Sequence, residues 1–333
     1  MENLTHTLTG LLIARAGFDR RVPRAALVCI LAANAPDIDV VSALGGSYVY
    51  LEHHRGLTHG FLAAPLLALL CVVAARLTTR TAFPWLPAYT AALAAGLSHL
   101  LLDWTNIYGV RLLAPFSGQW FRGDLASVFD PVLCATLAVF ALGPLLGRLV
   151  GQEIGSHTQY GRGSARVALV LALLYLGARG MVHARAIAVL DSRLYDGREA
   201  VRVAAFPGMV NPFHWRGLVE MPDQYRVLPV NLLAEFDPEA GRVLYRGAGQ
   251  HRAARVASQT EPFQALIHFS PYLFWQTGAD LIPEESFTVE ATDLRFGLPG
   301  EGRFTAKATL NSYYKVLNSE FRFTPSGQYP RPR

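Results

Sequence analysis

His53-His54-Arg55-Gly56-Leu57-Thr58-His59 places three imidazoles and a guanidinium within seven residues, between two strongly apolar segments. Titratable groups beside membrane-length apolar runs are costly and are kept mainly where they have a function. Two other clusters read as partners of this stretch. One is Pro36-Asp37-Ile38-Asp39 upstream, and the other is His99-Leu100-Leu101-Leu102-Asp103 downstream. Together with His6, the three clusters are expected to meet in one metal site at a membrane face.

The surroundings of the stretch set the fold class. At 333 residues the chain is long enough for two domains. It is 51% hydrophobic and only 17% charged, against about 25% charged in an average soluble domain. The long apolar runs fall almost entirely within residues 1–190, while 191–333 resemble an ordinary soluble chain. The expected architecture is an α-helical integral membrane bundle over 1–190, with about four to five membrane helices including a short N-terminal hairpin, followed by a small, mainly-β soluble domain over 191–333.

The net charge is +5, and every basic residue except Lys307 and Lys315 is an arginine. The arginines flank apolar runs instead of forming one basic stripe, which points to membrane topology and away from nucleic acid. Cys29, Cys71 and Cys134 lie singly inside apolar segments, as small hydrophobes do, and form no C-x-x-C pair. No basic region precedes the first apolar run and His6 would interrupt it, so no cleavable signal peptide is expected.

Taken in order, residues 7–18 read as a helix of about 18 Å, too short to cross a hydrocarbon core of about 30 Å. A second apolar run, 22–36, stops at Pro36, and Asp19, Arg20, Arg21 and Arg24 lie between the two. The pair reads as a hairpin with its arginines at the bend, which returns His6 and Asp37 to one side. Residues 40–52 are a loop or short helix. Residues 60–77 are apolar, Arg80, Pro84 and Pro87 mark a turn, and 85–104 are apolar again with His99 and Asp103 near the end. Consecutive spans run in opposite directions, so a span that starts at His59 brings His99 and Asp103 back to the same face. A loop over 105–130, an apolar run over 131–150, a polar connection over 151–165 and a last helix over 166–190 follow. Arg179, His183 and Arg185 in that helix must snorkel, sit at the interface or face a protein interior.

Arg15, Arg20, Arg21, Arg24, Arg76, Arg80, Arg148, Arg162 and Arg166 fall on the side away from the site, against Arg55, Arg111 and Arg122 on the site side. The positive-inside bias therefore places the site, and residues 191–333, outside the cytoplasm. In 191–333, alternating stretches rich in Val, Tyr, Phe and Thr read as strands over 199–206, 215–220, 225–233, 243–246, 286–294 and 304–323. Residues 262–277 read as a short helix, and a Pro/Arg tail ends the chain.

His99 and Asp103 are four apart on a predicted helix, which puts both on one face. Such a pair binds a metal or forms a helix-capping hydrogen bond. Asp37 and Asp39 after a proline are metal ligands or turn and N-cap residues. Gly56 between His54 and His59 gives the backbone freedom to turn both imidazoles toward one ion. The candidate ligands are His6, Asp37, Asp39, His54, His59, His99 and Asp103. Mixed imidazole and carboxylate donors suit Zn²⁺, Mn²⁺ or Fe²⁺. Seven candidates exceed the four of one tetrahedral ion, which favours more than one ion and phosphoester hydrolysis by metal-activated water. Asp37 and Arg55 are the candidate catalytic side chains, Arg55 as a bidentate phosphate clamp. No Gly-x-Ser-x-Gly elbow or P-loop is present.

At these residues the sequence resembles the YdjM-type family of membrane-bound, predicted metal-dependent hydrolases. The matching pieces are His6-Thr-Leu-Thr-Gly10, Pro36-Asp-Ile-Asp39, His54-Arg-Gly-Leu-Thr-His59 and His99-Leu-Leu-Leu-Asp103, running on through Tyr108-Gly109-Val110 to Pro115-Phe116. Phe129-Asp130-Pro131 and Asn211-Pro212-Phe213-His214-Trp215-Arg216 also look like family features. The order of the motifs makes the resemblance specific over the membrane half, and it is thin over the β region. The His-x-x-x-Asp helix is also remotely similar to zinc-dependent phospholipase C and the S1/P1 nucleases, although this chain lacks their N-terminal Trp ligand. The resemblance implies a metal-dependent hydrolase of a bacterial-type inner membrane, and the position of the site at the membrane surface points to a phosphoester of a lipid or lipid-linked substrate. Two other readings fit the residues. One is a non-enzymatic membrane protein with a structural metal or a polar His/Asp network. The other is a metal-transport role, against which stand the few ionisable residues in 61–75 and 132–147.

Overall fold

The computed structural model describes residues 1–79, 82–153, 161–280, 286–301 and 303–323. Arg80 of the expected turn, 154–160 of the expected polar connection, the side chain of Arg148 and the Pro/Arg tail lie outside the described residues. The membrane half consists of α1 (Asn3–Arg15), α2 (Ala25–Asn34), a 3-10 stretch (Ala35–Gly45), α3 (Ser47–His53), a 3-10 turn (Leu57–His59), α4 (Ala63–Leu77), α5 (Trp85–Thr105), α6 (Pro131–Glu153) and α7 (Arg162–Asp191). Among the described residues, three stretches are long and apolar enough to cross a membrane: Ala25–Gly45, Trp85–Thr105 and Arg162–Asp191. A fourth is available if Ser47–His59 and Ala63–Leu77, bent by 79° at their junction, act as one span.

The short first helix is explained by its position. At 13 residues, α1 rises about 20 Å. It packs against α2, α5, α6 and α7, and buries Thr5, His6, Leu8, Thr9, Gly10, Leu12 and Ala14. A helix enclosed by protein on most sides need not match the lipid thickness. Glu2 caps its start, its carboxylate accepting from the Thr5 amide at 3.2 Å. Gly10 sets the spacing to α2, because a Cβ there would lie 2.6 Å from the Cys29 carbonyl oxygen. Two apolar cores flank α1. One joins α2, α4 and α5 through Val28, Cys29, Val72 and Ala92, and the other joins α6 and α7 through Leu12, Leu133 and Leu137.

Pro36 explains the change from α2 to the tighter 3-10 stretch. It carries no amide hydrogen and sits in the first turn of that stretch, where none is needed. This break turns Asp37 and Asp39 toward the end of α5. The bend at the opposite end of the bundle gathers arginines as expected: Arg166 Nε donates to the Ala16 carbonyl at 2.9 Å and Arg15 Nη1 to that of Ala141 at 2.5 Å.

The mainly-β domain contains two antiparallel four-stranded sheets, each in simple sequential order. The first is β1 (Arg202–Pro207), β2 (His214–Glu220), β3 (Gln224–Asn231) and β4 (Arg242–Tyr245). The second is β5 (Leu273–Asp280), β6 (Ser286–Asp293), β7 (Arg303–Asn311) and β8 (Val316–Phe323). Two short helices, α8 (Arg252–Ala257) and α9 (Glu261–Phe269), join them. The expected helix over 262–277 is corrected here. It ends at Phe269, and Leu273–Asp280 forms β5, paired with β6 from Leu273↔Asp293 to Asp280↔Ser286. Pro271 disfavours a helical Ser270, so the chain leaves the helix and enters the sheet. The long strand expected over 304–323 is two strands, with Tyr314 left-handed at φ 64° in the turn.

The first sheet rests on the C-terminal part of α7, where Ala186 and Leu190 pack with Trp215, Val219 and Val230. Arg179 (2% exposed) and His183 turn inward to meet it, while Arg185 is exposed. Arg179 donates to the carbonyls of Leu125 (2.8 Å) and Pro212 (3.0 Å) and lies 4.6 Å over the Trp215 ring. The 211–216 motif thus locks sheet to membrane helix. Asp130 of the 129–131 motif caps α6 through the Leu133 amide at 3.0 Å and accepts the Tyr175 hydroxyl of α7 at 2.9 Å.

Gly10→Val is expected to destabilise the fold by about 1–3 kcal/mol through overpacking. The check is the unfolding midpoint in detergent, with Gly177→Val as the control, since a Cβ at Gly177 meets nothing within 4 Å. A Gly10→Val midpoint equal to the control's would refute the close α1–α2 approach.

Candidate metal centre

Four elements bring their polar ends together where the bundle meets the second sheet. The last turns of α5 supply His99 and Asp103, the 3-10 stretch supplies Asp37 and Asp39, residues 54–59 supply the histidine stretch, and α1 supplies His6. The side chains of His6, His59, His99 and Asp103 have no exposed surface. Asp37, at 14%, is the most open member of the group.

Ligand atoms of Asp37, His59, His99 and Asp103 all lie within 4.8 Å of one another. His59 Nε2 and His99 Nε2 are 3.1 Å apart, and each is 3.3 Å from Asp103 Oδ2. Asp37 Oδ1 lies 3.5 Å from His59 Nε2 and 3.7 Å from His99 Nε2. The far nitrogens of both rings are engaged. His99 Nδ1 is 2.7 Å from the Ala33 carbonyl oxygen, which can only accept, so the Nδ1–H donates and Nε2 keeps its lone pair. His59 Nδ1 faces Asp39 Oδ2 at 3.2 Å and Thr58 Oγ1 at 3.1 Å. With His59 Nδ1 donating to Asp39, two Nε2 lone pairs face each other beside two carboxylates. Such a set repels itself and is satisfied by a cation. The residues therefore fit a divalent metal, and the buried Asp37 Oδ2 and Asp103 Oδ2, which have no hydrogen-bond partner among the described residues, point the same way.

A second group, Asp37, Asp39 and His54, shares Asp37 with the first. In it Asp39 is heavily engaged. Its Oδ1 lies 2.8 Å from His54 Nδ1, and its Oδ2 accepts from the Arg55 amide at 2.8 Å and from Thr58 Oγ1 at 3.0 Å. Asp39 thus orients both His54 and His59, as carboxylates behind metal-binding histidines do.

The histidine stretch turns differently from the expectation. The left-handed residue is Arg55, at φ 58°, not Gly56. Gly56 is needed for close approach, since a Cβ there would meet the Arg111 guanidinium and lie 2.8 Å from the His53 carbonyl oxygen. His54 and His59 consequently fall in different groups, their ring centroids 5.8 Å apart at 78°.

Arg55 is 3% exposed and braces the centre. Its Nη2 pairs with Asp103 Oδ1 at 3.0 Å, and its Nη1 donates to Asn106 Oδ1 at 3.1 Å and the Gly109 carbonyl at 3.2 Å. The Met1 ammonium also pairs with Asp103 Oδ1. His6 stacks on His99, with centroids 3.8 Å apart, and its Nε2 is 3.4 Å from Asp103 Oδ1.

A cavity of about 480 Å³ opens on Asp37, His54 and Arg55. Its other walls are largely aromatic: Tyr50 and Tyr108 from the membrane half, Phe304 and Phe323 from the second sheet, and Phe296 from the β6–β7 connection. Burial pushes the Tyr108 phenol well above its usual pKa, so it lines the cavity as a neutral ring. Sequence reasoning missed the roles of Asn106, Thr58 and this aromatic wall. Thr58 and Tyr108 stood inside quoted motifs, whereas the phenylalanines looked like ordinary strand residues.

Residues 1–186 match the model of the family described as YdjM inner membrane protein. No curated protein and no solved structure matches the chain. These comparisons do not show the likeness to phospholipase C and the S1/P1 nucleases, and the 211–216 motif lies outside the matched residues.

Asp39→Asn removes the carboxylate behind His59 while leaving the four clustered ligands in place. It is expected to weaken metal affinity by about 10–100-fold, the usual cost of losing such support. Competition with a fluorescent zinc chelator measures this, and wild-type affinity in the variant would refute the orienting role.

Proposed function

The chain belongs to the YdjM inner membrane protein family, and on that premise we propose that it is a membrane-bound, metal-dependent hydrolase of a phosphoester in a lipid or lipid-linked substrate. The observation that carries the reading is the mutual approach of Asp37, His59, His99 and Asp103 beneath a cavity that opens on Asp37. Zinc suits the mixed donors best, with manganese and iron as the other candidates. A bound ion supplies Lewis acidity and a nucleophile from water near neutral pH.

Each side chain then has a role. His59, His99 and Asp103 hold the ion from the closed side. Asp37 faces the cavity and serves both as ligand and, through its unpartnered Oδ2, as proton acceptor. Asp39 and Thr58 hold the His59 ring. Arg55 offsets the charge of Asp103, and its buried Nε–H has no hydrogen-bond partner among the described residues. His54 with Asp37 and Asp39 forms the place for a second ion, and His6 packs behind His99. The aromatic wall excludes water and takes an apolar portion of the substrate.

In this reading residues 1–190 are the membrane-embedded domain, with a fourth span through the bent α3–α4 pair. Residues 191–333 form a water-exposed domain beside the site. The arginine bias supports an extracytoplasmic site face. An amphiphilic substrate would then reach the cavity laterally from the bilayer surface. A structural, closed metal site is the second reading, favoured by the zero exposure of His59, His99 and Asp103.

Elemental mass spectrometry of detergent-purified protein tests the centre. At least one equivalent of zinc, manganese or iron is expected in wild type and is expected to be lost in His59→Ala and Asp103→Ala, with folding followed by circular dichroism. His99→Ala stands in if Asp103→Ala unfolds. Folded protein without metal, never exposed to chelator, sinks the proposal. A phosphodiester screen then separates the two readings: turnover that falls by at least about 10²-fold in the metal-free variants supports the hydrolase, and metal without turnover supports the structural site.

A further inference from the structure

A second cavity, of about 870 Å³, lies on the first sheet and is closed by Ile107 and Val128 of the loop after α5, by Arg295, Phe296 and Leu298 of the β6–β7 connection and by Arg303 of β7. Its walls are mostly apolar, with Phe206, Trp215, Leu228 and Phe296 among them. Its charged lining has one sign. Arg216, Arg242, Arg295 and Arg303 face it, and among the described residues no aspartate or glutamate does. Arg295 is neutralised by Asp293, which accepts from its Nε at 3.0 Å and its Nη2 at 2.6 Å. Arg216 has no such partner. Its Nη2 donates to the Arg295 carbonyl, its buried Nε has no hydrogen-bond partner among the described residues, and its guanidinium lies 5.6 Å from the Phe206 ring centroid. Among the described residues, no carboxylate comes within ion-pairing distance of Arg216 or Arg303. Asp293, already paired with Arg295, and Glu301 act on Arg216 only from beyond ion-pairing distance, so an anion in the cavity would supply the direct contact that its partly buried guanidinium lacks.

The position of the mouth indicates which anion. The β1–β2 loop lines it, and the apolar residues of that loop, Met209 and Val210, are 62% and 67% exposed. The Arg179–Pro212 hydrogen bond holds this loop against α7. N-terminal to Arg179, α7 presents Val167, Val170, Leu173 and Leu174 outward. Residues 162–178 rise about 25 Å, with Arg162 and Arg166 at the end far from the sheet and the apolar part, 167–178, covering about 18 Å of that rise. Beyond Arg179 one face of the helix packs on the first sheet, while Met181 stays 71% exposed. Met209 and Val210 therefore lie near the point of α7 where the sheet begins to cover it.

We propose that this cavity is a binding site for the phosphate headgroup of an anionic membrane lipid. The lipid enters past Met209 and Val210, Arg216 and Arg303 hold its phosphate, and Arg242 stands at the rim. The site is separate from the metal centre, although Val128 and Phe296 line both cavities.

Native mass spectrometry of the full-length protein in neutral detergent tests this with three probes: phosphatidylglycerol, phosphatidylcholine and inorganic phosphate. Phosphatidylglycerol is expected to bind at least about tenfold more tightly than phosphatidylcholine, as charge-assisted contacts would provide, and inorganic phosphate more weakly than either. Arg216→Gln and Arg303→Gln should each erase the preference, while Arg198→Gln, paired with Asp223 on the exposed surface, should keep it. If Arg216→Gln does not fold, Arg303→Gln carries the test. Equal binding of the two lipids, an unchanged preference in the folded variants, or phosphate binding as tight as that of phosphatidylglycerol would each overturn the proposal. The readout is lipid binding, so it stands or falls independently of turnover at the metal centre.

Discussion

Asp103 is a carboxylate with no exposed surface, set at the end of an apolar helix. An isolated charge in that position would cost several kcal/mol even after relaxation. Its surroundings are arranged around this cost. Arg55 and the Met1 ammonium pair with one oxygen, and the other, 3.3 Å from both His59 Nε2 and His99 Nε2, faces the point where a cation would complete the compensation. The groups that meet Asp103 come from distant parts of the chain, so the bundle must close for the charge to be tolerated. The same closure assembles the ligands of the centre.

This requirement accounts for features that a lipid-spanning design would not produce. Helix α1 is short because its task is to carry His6 into the centre from inside the bundle, and Gly10 permits that approach. The α helix over 25–34 gives way at Pro36 to a 3-10 stretch, which presents Asp37 and Asp39 to residues 54–59. Arg55 adopts a left-handed conformation, and the hydrogen bond from its amide to Asp39 lies beside that strained turn. The β domain is tied into the same arrangement. Tyr108, just beyond α5, packs against Phe269, Phe296 and Phe304, so the second sheet forms one wall of the cavity above the ligands.

Much of this was legible in the residues. The return of His99 and Asp103 to the face of His59 followed from the alternation of apolar runs, because consecutive spans reverse direction. The i,i+4 spacing placed His99 and Asp103 on one helix face, and the charge pattern placed the arginines at the other end. What was not legible has identifiable causes. Asp39 is indistinguishable from a ligand by spacing, and its saturation by Arg55, Thr58 and two histidines appears only in three dimensions. The strand Leu273–Asp280 was hidden because its aromatic start continues the apolar pattern of α9, and pairing with β6 decides its state. The phenylalanines of the cavity wall follow ordinary strand alternation, which says which face is apolar and not what lies opposite.

The sequence by itself determined the membrane class of the first half, the β class of the second and the identity of the clustered histidines and aspartates. Those depend on hydrophobic period, span length and local spacing, all of which are properties of neighbouring residues. Only the tertiary structure decided which four candidate ligands share one point, which carboxylate stands behind them, and that an arginine-lined cavity forms beside the first sheet. Those depend on distances between residues remote in the chain, set by how helices and sheets pack once the buried charge of Asp103 has been compensated.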